Sequence, residues 1–191
     1  GDNKHYIPLF PIVNKNKNKV RIVFDSSAPY QGKSFNDSLL QGPDLNNLLV
    51  GVLTRFRHGP IGFSSDVECM FHSFHLTEEF KDSIRFFWFR DNKIENELVP
   101  YRALVHVFGL RSSPAVATFG LRYATRDRES QTLPDACKLI EEHTYVDDLL
   151  GCAETAEEAI RLIEGAREIL GKKNIRLHKI VANDSTVLSA F

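Results

Sequence analysis

Two aspartates side by side at the tip of an apolar hairpin constrain this chain more than any other feature. In Tyr145-Val146-Asp147-Asp148 the carboxylates follow Tyr145 and Val146 and precede Leu149, Leu150 and Gly151. Adjacent carboxylates repel, and aspartate is a poor strand former. A sequence that keeps them there implies a compensating cation, and carboxylate oxygens suit a hard ion such as Mg²⁺.

A metal pair needs acids from separate elements, because one segment cannot surround two ions. Asp66 supplies a third carboxylate at the end of an apolar stretch that starts at Ile61. From there its side chain can face the hairpin tip of a neighbouring strand. Three carboxylates around two divalent cations make up the arrangement that catalyses nucleotidyl transfer.

The remaining pattern is mixed α+β, with antiparallel strands packed on helices. Ile7–Val13 and Val20–Phe24 read as a hairpin with a basic tip at residues 14–19. Asp44 is placed to cap a helix running to Arg57. Ile61–Val67 reads as a buried strand. Asp82–Phe89 and Leu98–Val107 read as a hairpin turning at Asp91-Asn92-Lys93. Ser112-Ser113-Pro114 opens a helix to about Arg126. His143–Val146 and Leu149–Cys152 form the arms of the acidic hairpin. Thr155 and Glu158 have capping-box spacing for a helix that Gly171 ends, and Arg176–Val181 is a last strand.

Composition adds exclusions. No stretch approaches the length of a membrane span. Cys69, Cys137 and Cys152 form no CxxC pair, which argues for free thiols in a reducing compartment over zinc or disulfides. The net charge of -1 is low for a nucleic-acid binder, although Lys15, Lys17, Lys19 and Arg21 cluster early and Arg122, Arg126 and Arg128 later. The polar opening Gly1-Asp2-Asn3-Lys4 suggests a piece of a longer polypeptide.

Four stretches in order resemble the fingers and palm of a retroelement reverse transcriptase, most similar to the Pao/BEL class of LTR retrotransposons. Lys19-Val20-Arg21-Ile22-Val23-Phe24-Asp25 resembles the fingers segment. Ser65-Asp66-Val67-Glu68-Cys69-Met70-Phe71 resembles motif A. Phe108-Gly109-Leu110-Arg111-Ser112-Ser113-Pro114 resembles motif B, and Tyr145-Val146-Asp147-Asp148 motif C. Leu177-His178-Lys179, beside Ala182-Asn183, resembles the tail of the palm. The match covers nearly the whole chain. It implies one partial domain, with residues 1–60 and 75–110 fingers-like and 61–74 and 111–191 palm-like, and with thumb and RNase H absent.

The resemblance also implies roles. Asp66, Asp147 and Asp148, with the backbone carbonyl of Val67, would hold two Mg²⁺ ions, or Mn²⁺ in their place. Arg21, helped by Lys15, Lys17 or Lys19, would meet the triphosphate, and Lys179 would act as a general acid for the leaving pyrophosphate. Phe71, five residues after Asp66, would exclude a 2′-hydroxyl. Phe108 and Gly109 would brace the nucleotide. Tyr145, Val146, Arg111, Ser113 and Pro114 would meet template or primer. The implied partners are an RNA or DNA template, a primer, dNTPs and the rest of a Gag-Pol-like polyprotein, in a cytoplasmic virus-like particle or the nucleus. An inactive or domesticated module that binds nucleic acid or protein is the alternative. A nucleotide cyclase or primase-like polymerase is disfavoured by the stretch before Asp66 and by the motif B helix.

Overall fold

A computed structural model describes residues 4–14 and 19–191. In chain order its elements are β1 (Leu9–Asn14), β2 (Lys19–Phe24), α1 (Leu49–Phe56), β3 (Ile61–Val67), α2 (Glu78–Lys81), β4 (Arg85–Phe89), β5 (Leu98–Arg102), α3 (Ser113–Ala124), α4 (Pro134–His143), β6 (Thr144–Tyr145), β7 (Asp148–Ala153), α5 (Ala156–Gly171), β8 (Leu177–Ala182) and α6 (Ser185–Ser189). The architecture is α+β, and every strand pairing in the sheets is antiparallel. Lys15, Lys17 and the side chain of Lys19, expected near a triphosphate, lie outside the described residues. No helix among the described residues is long and apolar enough to cross a membrane.

The chain divides into two compact units, residues 1–42 with 71–114, and residues 43–70 with 115–191. The first carries two hairpins. β1 pairs with β2, Leu9 opposite Phe24, and β4 pairs with β5, Arg85 opposite Arg102. Its core gathers Ile7, Phe35, Leu76, Ile84, Ala103, Val107 and Leu110, with Phe24, Leu39 and Phe80 packed against them. Gly109 is fixed there by two demands. Its φ is +103, and a Cβ would collide with the Phe24 carbonyl.

The second unit is built on a four-stranded sheet in the order β6-β7-β3-β8. Strand periodicity sorts its faces. Phe63, Ser65 and Val67 of β3 and Leu149, Gly151 and Ala153 of β7 are buried. Helices α4 and α5 pack on each other and on β7, and α5 also on β3. Gly151 sits beneath Leu139 of α4 and the Phe63 ring, where no side chain would fit. Residues of the other parity, among them Ser64, Asp66, Asp148 and Leu150, line the opposite face. α1 covers one end of that face: the Phe56 ring lies over Gly62, and the Cys152 thiol donates to the Arg55 carbonyl at 3.1 Å.

Several elements differ from the sequence expectations. Asp44 caps a turn rather than a helix, accepting from the Asn46 N–H at 3.0 Å, and α1 begins only at Leu49. The delay has a cause in Asn47, whose side-chain amide donates to the carbonyls of Glu141 and Thr144, both at 2.8 Å. His143 ends α4 rather than opening a strand, so the first arm of the acidic hairpin shrinks to Thr144–Tyr145. Thr155 caps α5 through the Glu158 N–H at 3.2 Å, but Glu158 reaches back to the Glu154 N–H instead of Thr155. Gly171 is the last helical residue, and the left-handed turn falls at Asn174, φ +57. Helices α2, α4 and α6 have no counterpart among the expected elements. The three cysteines are free thiols.

Candidate active site

Register brings the acids together. β3 and β7 pair so that Asp66 stands directly opposite Asp148, and directly opposed side chains share one face with Cβ atoms about 5 Å apart. Asp147 precedes Asp148 in the two-residue connection between Tyr145 and Asp148, which themselves pair. The Val67 N–H donates to the Asp147 carbonyl at 2.8 Å, tying the tip to the end of β3. Val146 in the same tip has φ +55. Such a backbone is rare for a β-branched residue.

β8 supplies the countercharge. His178 stands opposite Asp66, and the β3–β8 register shifts between Ser64 and Asp66. On β8 two residues, Lys179 and Ile180, span the gap opposite Ser65. This is a β-bulge, and Lys179 in it has φ +52. In a regular strand residues 178 and 179 would point to opposite faces. Here both reach the same oxygen: Asp66 Oδ2 accepts from Lys179 Nζ at 2.6 Å and lies 2.9 Å from His178 Nε2. The buried Ser65 hydroxyl donates to the His178 carbonyl at 2.9 Å. His178 Nδ1 lies 3.4 Å from Glu68, which pairs with Arg176 at 3.0 Å.

These contacts split the carboxylates electrostatically. Burial pushes the Asp66 carboxyl up, but hydrogen bonds from Lys179 and His178 outweigh it and hold the group below its ordinary value. Asp148 is raised, first by burial and then by the charges of Asp147 and Asp66. Lys179 is raised by its bond to Asp66, with Glu68 and Asp147 adding to the field.

The donor chemistry fits a hard divalent cation: three carboxylates, and an ammonium already drawn to the first of them. A ready-made cage is a different matter. Among the described residues no group of three or more His, Cys, Asp or Glu side chains is arranged to hold a metal ion. Asp66 and Asp148 share one sheet face, with Asp147 next in the chain, and Asp66 is engaged by protein donors.

The other expected site residues fall in the first unit. Phe71 and Phe108 meet edge to face with ring centroids 4.8 Å apart, and His72 lies 5.8 Å from Phe108. The close approach that Gly109 permits is to the Phe24 carbonyl, and the Gly109 carbonyl accepts from Asn36 at 2.9 Å. The Arg111 N–H donates to the same Asn36 side chain at 2.9 Å. Ser113 is buried, its hydroxyl donating to the Val107 carbonyl at 3.0 Å and lying 3.2 Å from His106 Nδ1, while Pro114 is exposed. Arg21 is exposed opposite Ile12 and makes no ion pair among the described residues. Sequence reasoning missed Ser65, Glu68, Arg176 and the contact role of His178. The signal for His178 is its place beside Lys179, but only the register across β3 and β8 reveals it.

No family model matches the chain, and no curated protein sequence does. Solved structures do match. A foamy viral protease–reverse transcriptase in complex with an RNA/DNA hybrid superposes with a TM-score of 0.67 at 18% identity, over 92% of this chain and 20% of that one. The same kind of protein in complex with double-stranded DNA gives 0.68 at 19% identity, over 90% and 26%. The native prototype foamy virus protein gives 0.65 at 17% identity, over 90% and 20%. The fold is that of a reverse transcriptase. The chain spans a fifth to about a quarter of the length of these reverse transcriptases.

Proposed function

We propose that this chain is the fingers–palm core of an RNA- and DNA-directed DNA polymerase that adds dNTPs to a primer 3′-hydroxyl, encoded by an LTR retrotransposon of the Pao/BEL kind. One observation carries the reading: Asp66 faces Asp148, with Asp147 adjacent, on a reverse-transcriptase fold. Asp66 and Asp147 would hold the divalent ions, with Asp148 and the Val67 carbonyl beside them. When bound, Mg²⁺ or Mn²⁺ supplies Lewis acidity to the 3′-hydroxyl and the triphosphate.

The rest of the chemistry falls to protein groups. The sheet fixes Asp66 and Asp148 opposite each other, which limits the reorganisation left as charge develops. Arg21 offers a fork of donors suited to the β- or γ-phosphate. The Phe71 ring, packed on Phe108, excludes a 2′-hydroxyl, and Gly109, Arg111, Ser113 and Pro114 shape the loop and helix that brace the template–nucleotide pair. Tyr145 and Val146 position the primer end. Lys179 can return a proton to pyrophosphate once it leaves Asp66. The proposed partners are template, primer, dNTPs and the remainder of a Gag-Pol-like polyprotein, in a cytoplasmic particle or the nucleus.

The test is Mg²⁺- or Mn²⁺-dependent extension of a DNA primer on poly(rA), with the chain joined to its thumb segment. Asp147→Asn should lower extension by on the order of 100-fold or more, because an acid that holds the ions loses its charge. Equal extension by both proteins would overturn the reading. The engagement of Asp66 by Lys179, and the lack of a three-ligand group among the described residues, favour one competitor: an inactive module that keeps only the fold. Nucleic-acid binding without extension in either protein would select it.

A further inference from the structure

The Lys179 contact with Asp66 stands on an irregularity of the strand. A bulge normally disrupts a ladder and re-aims a side chain. This one places Lys179 in a left-handed backbone, which L residues avoid, and thereby puts its ammonium 2.6 Å from Asp66 Oδ2. The lysine side chain is 70% exposed, so water can receive it at once if it lets go.

The two donors on Asp66 are held differently. His178 is only 19% exposed, and its other ring nitrogen faces Glu68, which Arg176 holds in turn. Lys179 has Asp66 as its sole ion-pair partner among the described residues. A dication arriving at the same carboxylate would stand a few ångströms from the ammonium. Of the two groups on that oxygen, the lysine is the one free to depart.

We propose that Lys179 is a tethered counter-ion that holds the Asp66 carboxylate in place until a divalent cation displaces it, so that cation binding is an exchange at Asp66 while His178 stays. The inference rests on the reading of Asp66 as a cation ligand. It assigns Lys179 a positioning role before the reaction, separate from any proton transfer after it. The ammonium weakens cation affinity and keeps the acid ordered without the cation.

The test is Mn²⁺ binding to the intact chain, measured by the electron paramagnetic resonance signal of the free ion, without nucleotide or primer. Lys179→Met should bind Mn²⁺ on the order of tenfold more tightly than the parent, since a unit charge a few ångströms from a dication is removed. Lys179→Arg, which keeps the charge, should stay near the parent. Asp66→Asn should abolish the difference between lysine and methionine. Equal, measurable affinities in the parent and Lys179→Met would overturn the exchange yet leave the polymerase reading standing. Absence of Mn²⁺ binding in every variant would overturn both. Thermal melts of each variant confirm folding, and Lys179→Gln, at the same exposed position, must reproduce the methionine result.

Discussion

A carboxylate opposite a carboxylate, with a third next door, divides the labour among single residues: one acid is soothed by the β8 donors and the other bears the strain. Because Asp148 has its carboxyl raised above its ordinary value of 3.8, the native state disfavours its charge. The sign follows from linkage. The destabilisation is absent below pH 3.8, where the unfolded chain is protonated too, and is complete above the raised folded value. Asp148→Asn should therefore raise the melting temperature at pH 7, with the gain shrinking as the pH falls toward 3.8. Melts of the two proteins across that range check it; a gain that persists unchanged at acid pH would refute the account. Asp66 behaves oppositely, since its lowered carboxyl contributes stability above 3.8 that is lost as the pH falls through the folded value. The acids themselves were legible in the sequence, because a paired aspartate in an apolar setting is costly without a purpose. Their partner His178 was not, because its meeting with Asp66 depends on a register joining segments more than a hundred residues apart.

Elements show the same division between what local pattern reveals and what packing decides. Strand β3 was readable to the residue, since Ile61–Val67 is bounded by Pro60 and a polar turn. Helix α4 escaped notice because Leu133 offers no side-chain cap, and Ala136 and Cys137, small and weakly apolar, occupy two of its buried positions. The β8 bulge was equally hidden, as nothing in Leu177-His178-Lys179-Ile180 announces an extra residue. The acidic hairpin is different, for its strain is now locatable. Val146 holds φ +55 while 37% exposed, so glycine there would relieve the backbone and forfeit little burial. Val146→Gly should stabilise the protein by about 1 kcal/mol, a rise of about 2–4 °C in melting temperature. A fall in melting temperature would show that the valine side chain matters more than its backbone.

Over the whole molecule, each unit has its own buried core. Ile84 in the first and Ile163 in the second are 0% and 1% exposed. Truncating either to alanine should cost about 2–5 kcal/mol. If the two cores are energetically independent, the two costs should add in the double variant to within about 0.5 kcal/mol. Denaturant unfolding of the four proteins measures this, and strong non-additivity would mean that the cores are energetically one. The fold class was legible at this scale through four motifs in order, although identity to the matching structures is 17–19%. The second unit is discontinuous: residues 71–114 interrupt it. That interruption has a consequence during synthesis on a ribosome. The central strand β3 emerges long before β7 and β8, its ladder neighbours among the described residues, and at ordinary elongation rates it waits roughly ten seconds for the first of them. Throughout that interval a nascent strand bearing Phe63 and Val67 has both edges bare, so a chaperone that shields it would prevent wrong pairing.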